Sequence, residues 1–156
     1  MAVDFERGAK VAGRKFYFLT GDDALQELDL INRMVRHHVA AGWTFVIPPY
    51  LVNRKTAEFA GILPRFEGQF YSMPEDGLIA IPTAETPLVG MHAGEIFNEA
   101  DLPIRYVALS PCFRREAGSA GMATSGMRRV HQFHKVELFV ISGNGSPVWS
   151  RGVPAP

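Results

Sequence analysis

Between Ala24 and Ala41 the apolar residues Ala24, Leu28, Ile31, Val35 and Val39 recur at three- and four-residue steps, which predicts a helix with one apolar stripe. The segment Thr20-Gly21-Asp22-Asp23 before it supplies a turn and an N-cap, and Gly42 fits the left-handed cap that ends it. On either side the pattern shortens. Lys15–Leu19 and Trp43–Ile47 read as strands, the second closed by Pro48-Pro49, because proline brings no donor to a ladder. Residues 1–15 are polar and without period, so no element is predicted there. Asn53 should cap a short helix running through Phe59 and stopped by Gly61. Gln69–Met73 and Leu78–Ile81 form a predicted hairpin around the turn sequence Pro74-Glu75-Asp76-Gly77. Thr86-Pro87 is a favourable N-cap and first-position pair. Thr83, Ala84 and Glu85 are therefore expected where a strand enters a helix, a junction that directs polar groups into a cleft.

A second pair of strands follows, Arg105–Glu116 and Arg129–Ile141, joined by residues rich in Gly, Ala and Ser. Alternation along a strand puts Arg114 and Glu116 on one face. It also groups His131, Phe133, Lys135 and Glu137 opposite Val130, Gln132, His134, Val136 and Leu138. The resulting mixture of cation, carboxylate and ring suits a nucleotide together with an amino acid. Arg114 offers a planar fork for phosphate oxygens, and Phe133 a flat surface for a base. Glu116 can accept from an exocyclic amine, and Glu137 can hold an ammonium. A solvated edge hairpin laced with salt bridges has the same alternation, so the pattern alone leaves both readings open.

Charge sharpens the picture. The chain has no formal net charge, yet residues 105–141 hold six Lys or Arg against two Glu, so this hairpin is the anion-attracting region. The 156 residues, 47% of them hydrophobic, suit one domain with a genuine core. Cys112 is the single cysteine. No internal disulfide can form, a reducing cytoplasmic setting is expected, and Cys112 reads as a small buried hydrophobe. No apolar run approaches transmembrane length, and the polar start is not a signal peptide, so no membrane partner is expected. The histidines form no metal set, and no metal-ligating residues are assigned.

Phe113-Arg114-Arg115-Glu116, a small-residue loop, and then Arg129-Val130-His131-Gln132-Phe133-His134-Lys135-Val136-Glu137 closely resemble motif 2 of the class II aminoacyl-tRNA synthetases, and within them the seryl-tRNA synthetase family. Four further stretches carry the same likeness: Asp4–Arg7, Pro48–Asn53, Ile81–Glu85 and Asp101–Tyr106. The predicted long helix, strand and proline resemble motif 1, the dimer-forming element of that class.

The resemblance implies an α+β fold, an antiparallel sheet flanked by helices, forming a partial catalytic core over residues 1–141. Residues 142–156, nine of them Gly, Ser or Pro, are expected to be a flexible tail outside the family pattern. The implied chemistry is ATP-dependent activation of serine followed by transfer to tRNA(Ser), with Mg2+ arriving alongside ATP. By the same likeness Arg114 is the catalytic residue, and Arg114, Arg115, Glu116, Val130 and Phe133 contact ATP. Thr83, Ala84, Glu85 and Glu137 surround serine, and the chain forms a homodimer. The family's motif 3 and its N-terminal arm are not found in the sequence, and impaired activity is the expectation. Residues 122–127 also differ from the basic loop that faces tRNA in the family. Two alternatives follow: a relative that loads an amino acid onto a carrier protein, and a non-catalytic fragment that only binds or dimerises.

Overall fold

The computed structural model describes residues 3–116 and 129–143. Strand β1 (Val3–Asp4) leads into helix α1 (Phe5–Ala12), and β2 (Phe18–Leu19) pairs back on β1. Helix α2 (Asp22–Ala40) and strands β3 (Thr44–Val46) and β4 (Leu51–Asn53) follow. Next come α3 (Arg54–Phe59), β5 (Ser72–Met73), β6 (Leu78–Ala80) and α4 (Glu85–Met91). One turn of 3-10 helix precedes the two long strands β7 (Ile104–Phe113) and β8 (Gln132–Ile141). Two three-stranded sheets result, ordered β3-β7-β8 and β4-β6-β5. Among the described residues the pairings are antiparallel except β3 with β7, which run parallel with Thr44 opposite Tyr106.

Helix α1 corrects the expectation that residues 1–15 form no element. Its buried residue is Gly8, which carries no hydrophobic signal for a periodicity to detect. Polar chemistry starts it: Asp4 accepts from the Arg7 backbone N–H at 2.8 Å and pairs with the Arg7 guanidinium. The backbone bond, then the guanidinium, hold the Asp4 carboxyl below its ordinary range. The strand expected over Lys15–Leu19 shrinks to Phe18–Leu19, and β4 arises beyond Pro48-Pro49 as a strand the prolines had masked.

Helix α2 starts two residues before the predicted Ala24, and Gly42 takes the left-handed conformation (φ 86°) expected of it. None of its residues is buried in the single chain. Ala24, Ile31 and Val35 of the predicted stripe are half-buried, whereas Leu28 and Val39 stay open to solvent. Helix α3 matches its prediction, with Asn53 Oδ1 accepting from the Thr56 N–H at 2.8 Å.

Two buried clusters hold the layers together. Val52, Ala57, Leu63, Phe70, Ile79 and Ile81 fill the space between α3 and the β4-β6-β5 sheet. Ala84, Leu88 and Ala108 fix α4 on the other sheet, with Val46, Tyr106 and Phe139 packed around them. Cys112 is fully buried, as read from the sequence, and burial pushes its thiol pKa up.

Thr86 does not cap α4. The helix begins at Glu85, and Thr86 lies inside the first turn with Pro87 beside it. The first turn of a helix leaves its N–H groups without intrahelical acceptors, so proline is tolerated there and does not have to mark the first position. The Thr86 hydroxyl is buried, and its Oγ1 has no hydrogen-bond partner among the described residues. Thr86→Val should therefore stabilise the fold by about 1 kcal/mol, since it removes an unmet polar atom at nearly constant shape. A thermal melt should rise by about 3 °C; a fall would mean that the hydroxyl is satisfied.

Candidate active site

The site forms where β7 and β8 leave the sheet beside the segment joining β6 to α4. Ten register pairs run from Ile104 opposite Ile141 to Phe113 opposite Gln132. Past that end the Arg114 backbone N–H still donates to the His131 carbonyl at 2.9 Å. His131 Nδ1 in turn donates to the Arg114 carbonyl at 2.8 Å, which fixes its tautomer with the proton on Nδ1. The β6–α4 segment is stitched alongside: Phe113 N–H donates to the Ile81 carbonyl at 2.9 Å, and Arg114 Nε to the Pro82 carbonyl at 3.3 Å.

Along β8 the expected alternation brings Phe133, Lys135 and Glu137 to one face. At the open end the Arg114 guanidinium lies 5.1 Å from the Phe133 ring centroid, a cation–π pair. Two residues further along, Lys135 pairs with Glu137. The Thr83 hydroxyl joins them, donating to Glu137 Oε2 at 2.5 Å and accepting from Lys135 Nζ at 3.0 Å. It also accepts the Glu85 backbone N–H at 3.3 Å, so its hydrogen-bonding capacity is filled. Glu137 and Lys135 are largely covered, with 18% and 32% of their side chains exposed.

Not every expected residue projects into this cleft. Ala84 turns its methyl into the core against Leu88 and Ala108, which leaves only its backbone for a ligand. Glu85 is exposed on the first turn of α4. Arg115 reaches the other way: its N–H donates to the Gln69 carbonyl at 3.0 Å and its guanidinium to the Gly68 carbonyl at 3.2 Å. Glu116 breaks the alternation, because it takes a left-handed conformation (φ 49°) and so does not continue the strand face of Arg114. Its carboxylate accepts from Arg129 at 3.3 Å. Val130 is buried just ahead of β8.

Lys135 is the residue that the sequence reading left without a role. Its position, two residues from both Phe133 and Glu137, was the available signal. The expectations for residues 122–127 and for nearly all of the 142–156 tail fall outside the described residues.

A sheet with a basic motif 2 hairpin, flanked by a Thr-Ala-Glu helix entry and a long helix leading to a strand, defines a class II aminoacyl-tRNA synthetase core. The chain belongs to the tRNA synthetase class II core domain family (G, H, P, S and T), whose pattern it matches over residues 67–151. Within that family its similarity is to serine–tRNA ligases. It is 56% identical over 141 residues to the enzyme of Coprothermobacter proteolyticus and 52% identical over 139 residues to that of Thermobifida fusca. These alignments cover 90% and 89% of this chain but 34% and 33% of the relatives, so the chain spans about a third of their length.

The crystal structure of seryl-tRNA synthetase from Pyrococcus horikoshii complexed with ATP superposes with a TM-score of 0.84 at 49% identity, covering 88% of this chain and 31% of that one. The cytoplasmic serine–tRNA ligase of Naegleria fowleri in complex with AMP superposes at 0.86 with 32% identity, covering 92% and 34%. No described helix is long and apolar enough to cross a membrane.

Proposed function

We propose that this chain carries the serine pocket and the α-phosphate clamp of a serine-activating site, as part of the activity that ends in seryl-tRNA(Ser). One observation supports this reading most. Thr83, Lys135 and Glu137 form a covered, charge-balanced cluster on the same sheet face as the Arg114–Phe133 pair. An amine-binding corner and a phosphate-binding fork thus stand side by side, as a reaction between an amino acid and a nucleotide requires.

In the reaction the serine carboxylate attacks the α-phosphate in line and pyrophosphate departs. Arg114 leaves the Phe133 face and the Pro82 carbonyl to neutralise the α-phosphate, with its backbone pinned by His131. The freed ring of Phe133 takes the adenine, Glu116 meets the exocyclic amine, and Val130 closes the wall. Arg115 holds the 68–69 backbone behind the site. Glu137 and Thr83 receive the serine ammonium, with Glu85 and the Ala84 backbone alongside. No covalent nucleophile is needed, because orientation and charge supply the catalysis. Mg2+ would enter with the ATP phosphates.

A second copy of the chain would cover Leu25, Leu28 and Met34 of α2 together with Phe45 and Ile47, all of them exposed here. A cytoplasmic setting agrees with the single buried thiol. The reading is tested by ATP–pyrophosphate exchange with each amino acid in turn. Exchange with serine above that with alanine, threonine and cysteine is expected. Exchange equal for all four would remove the serine assignment.

A further inference from the structure

Lys135 occupies the seat that the proposed function gives to the substrate ammonium. Its Nζ contacts Glu137 and lies 3.0 Å from Thr83 Oγ1, and these are the two acceptors meant for serine. Both acceptors are thereby engaged before any ligand arrives. Lys135 also stands in the middle of the row, with the Arg114–Phe133 pair on one side and Glu137 on the other. A long, flexible stem allows its ammonium to move several ångströms without any change in the strand.

We infer that Lys135 is a built-in stand-in for the substrate amine, and that it selects zwitterionic amino acids over simple amines. When an amino acid enters, its ammonium takes over Glu137 and Thr83. The displaced Lys135 ammonium then pairs with the incoming carboxylate. The sequence of charges becomes carboxylate, ammonium, carboxylate, ammonium, and no charge is left unpaired. An amine that lacks a carboxylate can evict Lys135 but gives it nothing in return. A largely covered, unpaired ammonium is costly, so such a ligand is rejected. The selectivity thus comes from a penalty on the wrong ligand as much as from a contact with the right one. This inference rests on the serine-pocket reading above.

Serine and ethanolamine share hydroxyl and amine and differ by the carboxylate, so they separate the two effects. Binding of each is measured by NMR titration of the full chain, of Lys135→Met and of Lys135→Arg. Ethanolamine is expected to bind Lys135→Met about tenfold more tightly than the unchanged chain. Serine, which loses a competitor and a partner together, should change less than threefold. Lys135→Arg keeps the charge and should keep ethanolamine out.

An ethanolamine affinity that is unchanged or weaker in Lys135→Met, with serine still bound by the unchanged chain, overturns the stand-in and leaves the serine pocket intact. Failure of both ligands to bind any of the three chains overturns the serine pocket itself, and the stand-in with it. Lys135→Gln supplies the same neutral test if the Met variant does not fold.

Discussion

Replacing Arg114 with alanine is expected to lower serine-dependent pyrophosphate exchange by on the order of 10²–10³-fold, the usual effect of deleting one preorganised donor at a developing charge. Arg114 is an exposed residue, and among the described residues its guanidinium makes one long bond to the Pro82 carbonyl and a contact with the Phe133 ring. Folding should therefore be nearly unaffected, with a melting temperature within a degree or so of the unchanged chain. Arg114→Lys should recover only part of the rate, because an ammonium cannot present the planar fork that bridges two phosphate oxygens. Equal exchange by the alanine variant and the unchanged chain, both above background, would take Arg114 out of the mechanism.

Gly8→Ala should do the opposite, damaging the fold first and the site through it. A methyl at Gly8 would lie 2.6 Å from the Tyr17 Cα and overlap the Phe16 carbonyl as well. Backbone atoms cannot step aside as a flexible side chain could, so overpacking should cost about 3 kcal/mol. The better helix propensity of alanine returns about 1 kcal/mol, which leaves a net loss of about 2 kcal/mol. The displaced segment ahead of β2 carries Lys15, whose carbonyl accepts the His131 N–H at 3.2 Å, and Phe16, whose ring packs on His131. His131 holds the Arg114 backbone, so the disturbance has a short route to the residue proposed to grip the α-phosphate. Urea denaturation should show the lower midpoint, and pyrophosphate exchange should fall with it. A variant as stable as the unchanged chain would show that α1 and the Phe16–Tyr17 backbone can separate without penalty.

The contrast between these two positions explains what the sequence could reveal. Arg114, Phe133 and Glu137 lie on or just past regular strands, where a period of two assigns faces without any knowledge of the rest of the fold. Glu116 escapes the same rule because the strand has ended and the backbone has turned left-handed. Ala84 sits in a motif whose neighbours are polar, but a methyl in a helix entry is drawn into the nearest apolar cluster. Gly8 has no side chain to register in any pattern. Helix α1 is consequently invisible to hydrophobic periodicity, although its packing is tight. Lys135 was legible as a member of the right face. Its contact with Thr83 was not, since that requires knowing that the β6–α4 segment runs beside β8.

The parallel pairing of β3 against β7 bears on the order in which the chain assembles. Strands β7 and β8 are consecutive along the chain and pair antiparallel, so they can zip from their adjoining ends with a modest loss of chain entropy. Bringing Thr44 beside Tyr106 instead requires β4, α3, the β5–β6 hairpin and α4 to be gathered in between. Closure entropy grows with the length of chain enclosed, and non-local contacts give nothing back until that closure is complete. The hairpin that carries Arg114, Phe133 and Glu137 should thus be among the earliest structures to form. Strand β3, with α2 attached through Gly42, should be a late arrival. The exposed apolar residues of α2 and β3 would then reach their final place only after the β7–β8 hairpin is already built, so that any pairing through that surface, as proposed above, would follow folding.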